Sequence, residues 1–418
     1  MYIKRAIENT IKELGKSFPC IVIYGARQVG KSTTVDYIFG DKYKKVTLDD
    51  IEDRTLAESN PKLFLETYGF PLIIDEIQKV PTLLDEIKKI IDEQRLKWLK
   101  NNSKRELMYV LTVSNKFELQ QGISDSLAGR CGIIEMSSFT QVEKDKIKSN
   151  PFNPDLQNLL NLEKNTKSKY KTLREVFENV FMGGMPDVCT KVSEREAYFK
   201  AYVNTYIEKD VKKLIAASSE MQFRNFLSIL ALRTASELHY DEIATNVGID
   251  VRTCQKWISI LETSGIIYLL HPYMANKSNR IIKSPKLYFL DTGLCSFLCK
   301  WPNAEMLENC AMNGAFFETY VVSEIIKNMY SFNKDPKSYL FYYRDKDQKE
   351  IDLLYVDQAN IYPIEIKKGI MPNKPTKNFN VLKKYGLNIK PGLVINNCEK
   401  IRPINEAAYY YLVYLLGA

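Results

Sequence analysis

The sequence predicts an α/β protein whose first part is built on a parallel sheet, and three short apolar runs carry that prediction. Ile21-Val22-Ile23-Tyr24 leads directly into Gly25 to Thr33, GARQVGKST, and then into a segment able to start a helix. Pro71 to Glu76, PLIIDE, is a second run and ends in two acids; Leu107 to Leu111 is a third. Runs without polar alternation fit parallel strands buried on both faces.

The turn after the first run is a complete GxxxxGK[ST] loop. A buried strand feeding a glycine-rich turn and a helix N-terminus points backbone N–H groups inward, where a triphosphate can accept from them. Gly25 and Gly30 permit the tight backbone, and Ala26, Arg27, Gln28, Val29 and Thr33 complete the cradle. Lys31 is placed to reach the β- and γ-phosphates, and the Ser32 hydroxyl to ligate Mg²⁺. ATP and Mg²⁺ are therefore the cofactors this P-loop NTPase pattern asks for.

Asp75, at the end of the second run, is expected at the same sheet edge, holding a water of the Mg²⁺ shell. Glu76 beside it is placed to orient or deprotonate the attacking water. The third run ends in Thr112-Val113-Ser114-Asn115, where Ser114 or Asn115 is a candidate sensor of the γ-phosphate and an ordinary strand-to-loop turn is the alternative. Arg130, in Ser126-Leu127-Ala128-Gly129-Arg130, is a candidate for stabilising the transferring phosphoryl group, within the chain or across a subunit contact. A surface cation is the plainer reading.

GARQVGKST, LIIDEIQKVP, the LTxSN segment, SLAGR and the later Gly183-Gly184-Met185-Pro186 resemble, in that order, the AAA+-like ATPases that carry a fused C-terminal domain of unknown function. The resemblance covers nearly the whole chain. The chain departs from it at Val113-Ser114-Asn115, where relatives have Gly-Ser-Gln. The resemblance implies that Pro186 contacts the nucleotide base, as the GxP element does in related ATPases. A plain interhelical turn is the alternative at these four residues.

Asn150 to Lys171, rich in Asn, Lys and Pro, reads as an irregular connection. Leu173 to Phe181 and Ala197 to Leu214 read as helices. Then Phe226, Ile229, Leu230 and Leu232 mark one helix, Tyr240 to Ala244 a second, and Asp250 caps a third, Val251 to Ser264, which stops at Gly265 before the apolar strand Ile266 to Leu270. That order is the layout of a winged helix-turn-helix. Arg252, Gln255 and Lys256 would be exposed on its third helix, with Lys277, Arg280, Lys283 and Lys286 in the wing-like stretch. They suit phosphates or base edges, although winged helices also serve as protein contacts or spacers.

Near the C-terminus, Gly314 to Glu318 opens a helix to about Met329, followed by strands at Tyr339 to Arg344, Glu350 to Tyr355 and Ile361 to Lys367. An acid in one strand and ExK in the next resembles the PD-(D/E)xK nucleases. Strand periodicity puts Glu365 and Lys367 on one face, and hairpin pairing brings Asp352 to them. Asp352 and Glu365 can hold a divalent cation, with Glu318 as a further metal ligand, and Lys367 can stabilise the attacked phosphate. A half-exposed hairpin is the alternative.

Length and composition bound the rest. At 418 residues two or three domains are expected. The eight cysteines are scattered and the two histidines lie apart, which disfavours a zinc site or a Ser-His triad as the main chemistry. No stretch approaches the ~18 to 20 apolar residues of a membrane span, and MYIKRAIENT lacks a signal-peptide core, so a cytoplasmic protein with no membrane partner is expected. The net charge is +8, and Ile364 to Arg402 holds nine Lys/Arg against two acids. A polyanionic partner and a solvated lysine-rich surface both account for that stretch.

The expected organisation is an ATPase core at 1–145, a helical lid or linker at 146–218, a winged helix at 219–290 and a nuclease-like α/β domain at 291–418. Its expected function is ATP hydrolysis coupled to binding or metal-dependent cleavage of nucleic acid, with DNA favoured. The alternative is an ATP-dependent switch or scaffold that binds DNA or protein without cleaving, with a homo-oligomer or protein partner.

Overall fold

The computed structural model describes residues 2–114, 127–166, 170–205, 220–273, 284–386, 388–406 and 408–418. Asn115, Lys277, Arg280 and Lys283 lie outside them, as does the later part of the helix expected up to Leu214.

The N-terminal sheet has five parallel strands, β1 (Cys20–Tyr24), β2 (Lys44–Thr47), β3 (Leu72–Asp75), β4 (Tyr109–Val113) and β5 (Cys131–Glu135), in the order β2-β3-β4-β1-β5. Both neighbours of β1 run in register with it, Tyr24 opposite Val113 on one side and Glu135 on the other, while Thr47 pairs with Asp75. All strands therefore end at one edge, and the sequence returns β1 to the middle of the sheet. Helices α1 (Ile7–Ser17), α2 (Lys31–Phe39), α3 (Ile51–Ser59), α4 (Pro61–Tyr68) and α5 (Leu83–Lys100) flank it. Apolar β1, β3 and β4 side chains are buried on both faces, as their unbroken runs require.

The stretch from Asn150 to Lys171 is not irregular throughout. Leu156–Asn165 is an α-helix, started by the Asp155 carboxylate, which accepts from the N–H groups of Gln157 and Asn158. Leu159 is buried beneath it. The Asn and Lys residues that suggested a loop form its solvent face, and the cap plus one buried apolar row outweigh the weak helix propensity of the asparagines.

Beyond it, helices Leu173–Met182 and Arg195–Tyr202 precede three further helices, Glu220–Ala231, Tyr240–Val247 and Val251–Thr263. A small antiparallel sheet goes with these three: β6 (Ser236–Glu237), β7 (Ile267–Leu270) and β8 (Lys286–Phe289), in the order β6-β8-β7. Trp257 is buried against Phe223 and Phe226 at the centre of this unit.

The C-terminal sheet is mixed. Strands β9 (Leu340–Arg344), β10 (Glu350–Asp357) and β11 (Asn360–Ile366) form an antiparallel meander, with the short β12 (Asn388–Ile389) beside β11. β13 (Gly392–Asn396) adds parallel to β11, then β15 (Ala408–Leu412) parallel to β13, with β14 (Arg402–Asn405) antiparallel at the edge.

The helix Asn313–Ser331 joins these parts. Nearly all its side chains from Phe316 onward are buried, as expected of a helix without a polar face. One continuous apolar core runs from Ile7 and Ile21 through Phe226 and Trp257 to Leu416. Polar ties reinforce it: Thr10 Oγ1 donates to Ser331 O at 2.7 Å, and Gln141 N to Glu324 Oε2 at 2.7 Å. Among the described residues, no helix is long and apolar enough to cross a membrane.

Candidate functional site

Parallel strands ending at one edge bring Gly25 to Thr33, Asp75, Glu76 and Ser114 together, because polar groups beyond strand C-termini face a common crevice. The loop is bent as its glycines allow: Gly25 has φ +154° and Gly30 φ +92°, and Gln28 also lies in the left-handed region at φ +62°. A Cβ on Gly25 would stand 2.0 Å from Met136 O, so no other residue fits there without moving β5's exit.

Lys31, at the first turn of α2, is buried, and its Nζ donates to the carbonyls of Gly25 and Ala26, both at 2.9 Å. Its ammonium is thus folded over the loop's own mouth. Ser32 Oγ donates to Asp75 Oδ1 and Oδ2 at 2.9 and 3.0 Å, and Thr112 Oγ1 also donates to Asp75. A hydroxyl and a carboxylate in contact are the hard oxygen donors that Mg²⁺ takes, so these residues fit Mg²⁺ and ATP.

Glu76 has left-handed backbone at φ +58°, and its N–H donates to Thr112 Oγ1 at 3.1 Å. Its carboxylate accepts from Ser114 Oγ at 2.7 Å and from the Gln78 amide. Ser114, expected with Asn115 as a candidate sensor of the γ-phosphate, therefore holds the candidate base directly.

Two expectations find different surroundings. Arg130 precedes β5 and so stands at the sheet edge opposite the loop, where it makes a two-pronged pair with Asp92 of α5, at 2.8 Å on each oxygen. It does not approach this chain's own phosphate site. Pro186 does approach it: a Cβ on Gly30 would lie 3.7 Å from Pro186 Cγ.

The Gly183-Gly184 pair is more than an interhelical turn. A Cβ on Gly183, at φ +74°, would meet Asp291 Oδ1 at 2.3 Å, and one on Gly184 would meet Phe139 O at 2.3 Å. Gly184 N donates to Asp291 Oδ2 at 2.9 Å, and its carbonyl accepts from Phe139 N at 2.8 Å. The buried Lys144 ammonium caps Gly183 O at 2.8 Å, and burial lowers its pKa. Asp291 also caps the helix Thr292–Leu298 through Leu294 N at 3.0 Å. Only its place before Thr-Gly, a possible N-cap signal, marked it in the sequence.

Arg5 was missed altogether. It is buried, and its guanidinium donates to Val29 O of the loop at 3.0 Å and to Ser137 O at 2.7 Å. Nothing in MYIKRAIENT distinguishes it from a solvated cation.

In the C-terminal sheet, Leu353 pairs with Ile364, which carries Asp352 beside Glu365. Asp352 is buried and accepts from Ile366 N at 2.8 Å; Lys367 Nζ stands 3.1 Å from Asp352 and 2.8 Å from Glu365. These three residues therefore come together as the hairpin predicts. Burial, with the Asp352 charge, holds Glu365 up to about 7 against the pull of Lys367.

Lys286 corrects the sequence reading. Lys286 is not an exposed wing cation but a buried β8 residue, its Nζ 3.0 Å from Glu318 and also paired with Glu350. Tyr288 OH donates to the same Glu318 oxygen at 2.7 Å. Glu318 is thereby engaged from the middle unit. Among the described residues, no group of three or more His, Cys, Asp and Glu side chains could hold a metal ion. Lys286 pairs with Glu318, and Lys367 with Asp352 and Glu365, so each of these acids has a cationic partner. Arg252, Gln255 and Lys256 share an exposed face of Val251–Thr263, since Cys254, Trp257 and Ile258 take the buried side.

Three family models match successive parts of the chain. Residues 17–144 match an AAA domain, residues 173–305 a domain of unknown function (DUF8612), and residues 313–415 another (DUF4143). Uncharacterized proteins of Mycobacterium tuberculosis and Mycobacterium bovis are each 23% identical over 365 residues, covering 85% of this chain and 71% of the relative. A Walker-type ATPase of Pyrococcus abyssi aligns at TM-score 0.41 and 12% identity, over 71% of this chain and 96% of that one. The loop geometry, the Ser32–Asp75 contact and the match of residues 17–144 to an AAA domain agree on a P-loop ATPase fold for the N-terminal part of this chain.

Proposed function

We propose that this protein hydrolyses ATP and that its nucleotide state controls nucleic-acid binding by the middle and C-terminal parts. One observation carries the coupling. The phosphate loop is walled by distant segments, for a Cβ on Gly265, in the turn after Val251–Thr263, would lie 3.6 Å from Ala26 N. A loop that adjusts to a triphosphate therefore pushes on the turn between the exposed Arg252–Lys256 face and β7.

In the ATPase part, Lys31 and the loop N–H groups would bind phosphate oxygens, Ser32 and Asp75 would hold Mg²⁺, and Glu76 would take a proton from the attacking water. Mg²⁺, when bound, neutralises charge on the transferring phosphoryl group. Pro186, beside Gly30, is read as the base contact, and Arg130 as a residue that could serve a neighbouring copy.

Three helices with a β6-β8-β7 antiparallel sheet support a winged-helix reading of the middle unit. The helix Asn313–Ser331 followed by β9, β10, β11 and parallel β13 supports a PD-(D/E)xK reading of the end. DNA is the favoured partner, on the exposed Arg252 and Lys256 and the exposed Lys374, Lys377 and Lys383.

A second reading, metal-dependent cleavage, is favoured by the convergence of Lys367 on both Asp352 and Glu365. The test is to measure DNA binding and ATP turnover together. Duplex DNA should raise turnover, and affinity should differ between ATP and ADP. Equal affinity in both states would overturn the coupling. Mg²⁺- or Mn²⁺-dependent cleavage lost in Asp352→Ala would establish the second reading, and equal, negligible cleavage by both proteins would reject it.

A further inference from the structure

Arg5 spends its guanidinium on three places that meet at the phosphate loop. Nη1 donates to Val29 O at 3.0 Å, Nη2 to Ser137 O at 2.7 Å, and Nε pairs with Glu143 Oε1 at 3.2 Å. Its plane lies over the Phe139 ring, 4.5 Å from the centroid. All of this is buried, with Arg5 4% and Glu143 3% exposed. The side chain links the segment that precedes the first helix, the loop, and the exit of β5.

The bond to Val29 is the informative one. In a trans peptide the carbonyl and the following N–H point in opposite directions. A donor that holds the Val29 carbonyl back thus turns the Gly30 N–H to the opposite side of the Val29–Gly30 peptide. The loop needs such a hold, because Gln28 sits in the left-handed region and Gly30 has no side chain to anchor it.

We propose that Arg5 is a positioning residue for ATP: it fixes the Val29–Gly30 peptide so that the Gly30 N–H is aimed at the bound phosphates. This rests on the ATP-binding reading of the loop. Arg5 acts through the backbone, while Pro186 closes on Gly30 from the GGMP turn.

A lysine at this position separates positioning from structure. Glu143 is also held by Ala6 N at 2.7 Å and Thr140 N at 2.8 Å, so a single ammonium is enough to balance its charge. One ammonium cannot reproduce the planar fork that serves Val29, Ser137 and Glu143 together.

The experiment compares wild type, Arg5→Lys, Glu143→Gln and Lys31→Ala for ATP and ADP binding by calorimetry, steady-state turnover and thermal unfolding. Arg5→Lys should unfold near the wild-type temperature yet bind ATP and ADP about tenfold more weakly, the scale of one charge-assisted hydrogen bond. KM should rise with kcat nearly unchanged, since the lost donor serves ground and transition states alike. Glu143→Gln should lower the unfolding temperature while leaving the affinity of the folded protein within about threefold of wild type.

Wild-type affinity in folded Arg5→Lys would overturn the proposal. So would an equal loss of affinity in Arg5→Lys and Glu143→Gln that follows their loss of stability. If wild type and Lys31→Ala both failed to bind ATP, the nucleotide reading itself would be at fault, and the proposal would fall with it.

Discussion

Ser32 Oγ donates to both carboxylate oxygens of Asp75, at 2.9 and 3.0 Å, joining the first turn of α2 to the end of β3. Two side chains 43 positions apart share one crevice because β1 and β3 are parallel and flank β4 in register. Lys31→Ala should abolish measurable ATP binding in calorimetry. Asp75→Asn should retain nucleotide binding but lower turnover at least about a hundredfold, with a raised Mg²⁺ requirement. Unchanged turnover in Asp75→Asn would remove Asp75 from the site.

Glu76 is held by Ser114 and Gln78 on a left-handed backbone. Glu76→Gln keeps the shape and removes the base, so turnover should drop about a hundredfold or more while ATP affinity stays within about threefold. A parallel loss of affinity would make the residue structural instead.

Gly183 has no room for a side chain, with Asp291 Oδ1 2.3 Å and Gly293 N 2.7 Å from where its Cβ would stand. Gly183→Ala should cost about 2 to 4 kcal/mol in denaturant unfolding, from backbone strain plus overlap. Gly314→Ala, where nothing lies within 4 Å, is the control and should be neutral or slightly stabilising.

Glu318 and Glu365 both have pKa values held up to about 7, first by burial and then by the Asp352 charge, with Lys286 and Lys367 pulling down. Their ordinary value is 4.5, so between there and about 7 the folded chain binds more protons than the unfolded one. Their contribution to stability is full below that window and is lost as pH rises through it. Denaturation midpoints across the window should show Glu365→Gln with a shallower fall than wild type; an identical slope would refute the assignment.

Lys286 is 3% exposed and faces Glu318 and Glu350. Lys286→Met should destabilise by about 3 kcal/mol, because it strands two partly buried carboxylates and removes their buried cation. Lys367→Met, whose side chain is 40% exposed, should cost less in the same unfolding measurement.

Charge reversal at Arg252 and Lys256 should weaken DNA binding and flatten its dependence on salt, since each lost phosphate contact releases fewer counterions. An unaltered salt slope would return that helix to a packing role.

Sequence alone determined the ATPase part well. Parallel strands announce themselves as unbroken apolar runs, and the GARQVGKST loop shows where its glycines permit a tight backbone and where Lys31 places a charge. The hairpin carrying Asp352, Glu365 and Lys367 was legible for the same local reason, a period of two. Tertiary structure alone decided who holds these groups. Arg5 on Val29, Asp291 on Gly184 and Lys286 on Glu318 join residues 24, 107 and 32 positions apart. Such pairs leave no periodic trace, and a lysine in a sequence looks the same whether it meets water or a buried carboxylate. Burial and the partner set its role, and both exist only once the helix Asn313–Ser331 has drawn the three parts around one core.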